Sequence, residues 1–112
     1  MFSILRAVSI AILTLLLVAY STVQVGRDFD ARSFETKVER GITTQTQVRG
    51  WFGAPANTGV NVDTGGERFD EWTYYFAAGR LTDVSAVRMK ILQIKFDKQG
   101  VVRGYNWSTS DQ

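Results

Sequence analysis

Two aromatic-rich runs with strict alternation constrain this chain more than any other feature. Trp72, Tyr74 and Phe76 alternate with Glu71, Thr73 and Tyr75, and Leu92, Ile94 and Phe96 alternate with Ile91, Gln93 and Lys95. A period of two is the repeat of a β-strand, whose successive side chains point to opposite faces. The pattern predicts strands over 69–77 and 87–97. Asp97, Lys98, Gln99 and Gly100 make a hairpin connection in which Gly100 can take a positive φ, so 101–107 returns as the next strand. Gly65 and Gly66 mark another turn and leave room for a short edge strand over 58–62. The stretch 78–86 (AGRLTDVSA) reads as a loop between strands.

Upstream the period changes to that of a helix. Asp30 is a good N-cap, Phe29 and Phe34 have hydrophobic-staple spacing, and Phe34 with Val38 makes a one-sided stripe that Gly41 ends. Thr44 and Gln47 have capping-box spacing before Val48, Trp51 and Phe52, which share a face until Gly53 and Pro55 stop the helix. Neither short helix is stable alone, so both lay their stripes on the sheet. The expected fold class is α+β: two short helices packed on a three-stranded antiparallel meander, with 58–62 as an optional fourth strand, preceded by an N-terminal hydrophobic signal or anchor helix. Residues 22–112 form one domain.

Composition narrows the chemistry. The chain has no cysteine and no histidine, which removes thiol nucleophiles, disulfides, thiolate metal sites and the usual general base. Asp70 and Glu71 are strand neighbours whose side chains diverge, so they do not form a carboxylate pair. Of the 13 basic residues Arg6 lies in the leader, and the rest nearly balance 11 acidic ones, leaving no electrostatic term to hold nucleic acid. The reading is a non-enzymatic protein with no catalytic residue, cofactor or metal site.

The first 21 residues set the compartment. Met1 and Arg6 supply positive charge ahead of the apolar run 7–20 (AVSIAILTLLLVAY), the order of a secretory signal. Ala19 and Ser21 fit a signal-peptidase cut before Thr22. Counted to Val25, the segment also reaches the length of a bilayer-spanning helix, held amino-terminus-in. A cleaved leader and a retained anchor both stand, and a buried core helix is a third, weaker fit to a segment apolar all round.

The stretches 41–55 (GITTQTQVRGWFGAP), 71–76 (EWTYYF) and 92–102 (LQIKFDKQGVV) together resemble the SmpA/OmlA (BamE-like) family of small outer-membrane assembly lipoproteins, over about two-thirds of the chain. The resemblance implies an α-α-β-β-β fold in the periplasm and on a membrane. It also implies a role as an accessory or scaffold that assists outer-membrane protein assembly or envelope integrity by contact with envelope proteins such as the β-barrel assembly machinery. Related folds occur in β-lactamase-inhibitor proteins, so a periplasmic inhibitor or ligand-binding module is the alternative. The chain departs from the family where a lipid-bearing cysteine is expected, because Leu17, Val18 and Ala19 are followed by Tyr20, whose ring cannot take a thioether-linked lipid. The outer membrane follows from the resemblance, and an inner-membrane anchor follows from an uncleaved leader.

Partner-binding residues are expected in two places. Tyr75, Met89 and Ile91 point away from the helices if Tyr74 and Leu92 point toward them, and a one-domain chain has no second layer to cover them. Phe29 and Phe34, in the segment joining leader and domain, are the other pair.

Overall fold

The computed structural model describes residues 22–80 and 82–110. The expected leader helix lies outside them. Among the described residues no helix is long and apolar enough to cross a membrane. They form five strands and two helices in the order β1 (Thr22–Gly26), α1 (Ala31–Lys37), α2 (Gln45–Phe52), β2 (Asn57–Val62), β3 (Arg68–Arg80), β4 (Asp83–Phe96) and β5 (Val102–Thr109).

This corrects the expected class of two helices on a three- or four-stranded meander. Strand dominates, in a single five-stranded antiparallel sheet, and the helices are two short pieces. Two segments account for the change. Of the stretch 78–86, read as a loop, residues 78–80 and 83–86 are strand, in the far half of a long β3–β4 hairpin. Residues 22–26 are a strand paired with that half, from Thr22 opposite Arg80 to Gly26 opposite Phe76. β3 is long enough to carry two partners end to end on one edge, β1 beside 76–80 and β2 beside 68–73. β4 lies on its other edge, with β5 beyond.

The body of the sheet is built as its alternation requires. Trp72, Tyr74, Phe76, Leu92, Ile94 and Phe96 are buried on the face that meets the helices. A bulge at Lys95/Phe96 sets Lys95 opposite Gly104 but Phe96 opposite Val102. The extra residue lets Val102 and Tyr105, three apart in sequence, both serve the helix face. α1 contributes Ala31 and Phe34, and α2 contributes Val48, with Trp51 and Phe52 half-buried beside it. Phe34 is the keystone, with ring centroids 5.1 Å from Tyr105, 5.8 Å from Phe52 and 6.3 Å from Trp51.

Local chemistry places the helix ends. Asp30 Oδ1 accepts from the backbone N–H groups of Arg32 and Ser33. Thr44 and Gln47 close a reciprocal capping box. α1 stops at Lys37, because Val38 turns extended, so Gly41 belongs to the following turn and not to the helix end. That turn is stitched to the start of β5: the Gly41 N–H donates to the Val102 carbonyl and the Val102 N–H to the Thr43 carbonyl, each at 2.8 Å. The 97–100 hairpin takes its expected form, with Gly100 at φ 76° and Asp97 Oδ1 accepting from the N–H groups of Gln99 and Val101.

Candidate docking surface

Helices cover one face over the body of the sheet and leave the other bare, and the two halves of the bare face differ. Toward the body it is polar or shielded. Glu71 accepts from Asn61 Nδ2 at 3.2 Å and from Gln93 Nε2 at 3.5 Å, and Lys95 Nζ lies 5.4 Å over the Phe69 ring. Toward the hairpin tip it is apolar. Cross-strand register builds this half in rows: Tyr75 opposite Ile91, which is opposite Ser108, then Val25, Ala77 and Met89, then Val23 and Gly79.

Tyr75, Met89 and Ile91 thus come together as the alternation predicts. With Ser108, Thr109 and Ser110 they line an open groove of about 340 Å³. Ser110 anchors one end, its N–H donating to the Met89 carbonyl at 2.9 Å while its Oγ accepts from the Met89 N–H at 2.8 Å. The floor is apolar and the rim is hydroxyl and backbone, a lining that favours exclusion of water by another surface over acid or base work on a small substrate. Among the described residues no group of three or more Asp or Glu is placed to hold a metal ion.

Phe29 and Phe34 lie elsewhere. They are 8% and 0% exposed and belong to the core, both closing on Phe52 with centroids at 5.9 Å and 5.8 Å. Phe34 therefore has no surface to offer a partner. The charged residues that made this segment look like a contact site have local work: Asp28 Oδ1 accepts from Lys90 Nζ at 2.9 Å, and the same ammonium donates to the Phe29 carbonyl at 3.2 Å. The hydrogen bond from Lys90 holds the Asp28 carboxyl below its ordinary value, helped by the ammonium's charge and opposed by slight desolvation.

Three exposed residues of this face escaped the sequence reading: Val23, Val25 and Val87, at 45%, 53% and 38% exposure, with Met89 at 44%. The signal for β1 was present in the alternation of Thr22, Val23, Gln24 and Val25, but residues up to Val25 also extend the apolar leader to the length of a membrane span. A larger depression, about 510 Å³, lies on the helix-side face of the same arm between Gln24, Ala78 and Arg88. It is more polar, and Asp28 on its wall is already paired with Lys90.

Tyr74 marks how firmly the covered face is tied down. Its hydroxyl donates to the Gly53 carbonyl at the end of α2 at 2.8 Å. Burial pushes the phenol up to about 12 from 10, with the Arg49 guanidinium opposing. The chain matches no family model, no curated protein and no solved structure.

Proposed function

We propose that this protein is a non-enzymatic accessory or scaffold of the bacterial cell envelope, of the SmpA/OmlA kind, that assists outer-membrane protein assembly or envelope integrity by protein contact. The observation that carries the reading is the asymmetry of the sheet. One face is closed by helices over the body of the sheet, and the other presents the groove of Tyr75, Met89 and Ile91 to solvent. A protein partner that buries this apolar floor gains about 25 cal/mol per Å² of apolar surface removed from water, without needing any reactive group. The leader order of charge and then apolar run supports an exported domain.

The test is a photo-crosslinker introduced at position 91 of the full chain in living bacteria, with position 103 on the exposed side of β5 as control. A discrete adduct with an envelope protein at 91 and not at 103, lost when Tyr75→Asp and Met89→Asp are added, is the expected result. An adduct with a soluble periplasmic enzyme instead makes the protein an inhibitor. No adduct at 91 or at 75 overturns docking through this face.

A further inference from the structure

Past the groove, toward the hairpin tip, the bare face continues as a shallow apolar trough. Its floor is β3, where Ala77 and Gly79 are small, and its walls are Val23 and Val25 from β1 and Val87 and Met89 from β4. A Cβ on Gly79 would come within 2.8 Å of Val87 Cγ2, so the valine leans over the glycine. Val23, Val25, Val87 and Met89 account for four of the seven large apolar residues exposed among the described ones.

The position of this trough in the chain is as telling as its composition. β1 starts at Thr22, paired with Arg80 at the far end of the arm. The apolar run ends at Tyr20, two residues earlier. Each residue spans at most about 3.6 Å, so the tip lies within roughly 7 Å of that run's end whatever path the chain takes. The arm's cations lie off this surface: Arg80 and Arg88 line the depression on the helix-side face, and Lys90 is paired there with Asp28. Four part-exposed side chains present well under the roughly 800 Å² per partner that a stable dimer buries, which disfavours a second copy as the cover.

We infer that the tip half of the bare face seats in the headgroup boundary of a lipid bilayer, with Val23, Val25 and Val87 inserted. This rests on the envelope reading above with the leader retained in the membrane. The arm then lies on the lipid, and the groove of Tyr75 and Ile91 stays clear of it for a protein.

Because the chain has no cysteine, single-cysteine variants of the full chain each take one nitroxide. Val25→Cys and Val87→Cys report the trough, Gln47→Cys reports the exposed side of α2, and Leu13→Cys reports the leader. Val23→Cys replaces either trough position if its labelled variant loses the parent far-ultraviolet spectrum. The probe is a vesicle of phosphatidylcholine and phosphatidylserine, with relaxation by oxygen compared against a water-soluble nickel chelate. The expected result is that labels at 25 and 87 sit about 5–10 Å into the boundary and are about tenfold less accessible to nickel than the label at 47. If the label at 13 is in lipid while 25 and 87 are as aqueous as 47, the seating is overturned and the membrane anchor stands. An aqueous label at 13 overturns both. Dipolar broadening between labels at 25 on neighbouring chains assigns the trough to a second copy and likewise overturns the proposal.

Discussion

Tyr74→Phe removes one oxygen and leaves the ring, so it isolates the polar tie between sheet and helix. The lost hydrogen bond is the 2.8 Å contact to the Gly53 carbonyl, at a loop already pinned by the Gly53 N–H donating to the Arg49 carbonyl at 2.7 Å. A neutral hydrogen bond of this kind contributes about 1 kcal/mol. A chain of this size unfolds in urea with a slope of about 1 kcal/mol per molar, so the midpoint at pH 7 should fall by roughly 1 M. pH supplies a second signature. Below pH 10 the phenol is protonated in both states and contributes no slope. Between pH 10 and about 12 the unfolded tyrosine ionises while the folded one keeps its proton, so the parent loses stability as pH rises. The hydroxyl is only part-buried, and discounting for solvent screening reduces that loss to about 1 kcal/mol by pH 12. The phenylalanine variant has no such group, so the two stability curves converge. Urea titrations in mild detergent at pH 7, 10, 11 and 12, followed by tryptophan fluorescence, measure both effects. A gap that stays constant from pH 7 to pH 12, or no gap at pH 7, would refute the account.

Other consequences are as specific. Phe34→Ala opens a cavity where α1, α2 and β5 meet, and should destabilise the domain by about 3–5 kcal/mol, read as an early and broadened thermal transition by circular dichroism. Gly26 has φ 77°, and a Cβ there would overlap the Tyr75 carbonyl oxygen, so Gly26→Ala should release β1. Hydrogen exchange should then show lost protection over 22–26 and 76–80, with 92–96 unchanged. Lys90→Met removes the hydrogen bond that lowers the Asp28 carboxyl, so its pKa, followed by NMR of the side-chain carbonyl, should rise toward 3.8. Because a depressed folded pKa stabilises above the unfolded value and is lost as pH falls through the folded one, the parent should lose slightly more stability than the variant on acidification below about pH 4. Because the Asp28 side chain is more than half exposed, the difference stays within about 0.5 kcal/mol.

The helix ends and the central hairpin could be read from local residues because their causes are local. Asp30 caps α1 with its own side chain, and Thr44 and Gln47 satisfy one another three residues apart. Gly100 completes a turn whose other bonds come from Asp97. The inward row from Trp72 to Phe76 and the outward placement of Tyr75, Met89 and Ile91 follow from the same period of two, since side-chain direction along a strand is settled by parity once the strand exists.

What the residues themselves determined is therefore which segments alternate, where the helices begin and which side of each central strand is apolar. Tertiary structure alone decided how far the strands run and what covers them. The stretch 78–86 has glycine, small and polar residues that suit a loop, and its residues 78–80 and 83–86 are held extended by pairing with β1 and by the length of the β3–β4 ladder. β1 itself is five residues whose strand state depends on a partner fifty or more positions away. Phe29 and Phe34 fit both a hydrophobic staple and a contact site by their spacing and neighbours, and they are core because Phe52, Tyr74 and Tyr105 arrive from distant segments to enclose them. Parity and capping act over a few residues, whereas edge pairing and burial exist only once remote segments meet. For that reason the apolar trough along β1, β3 and β4 became visible only in the folded sheet.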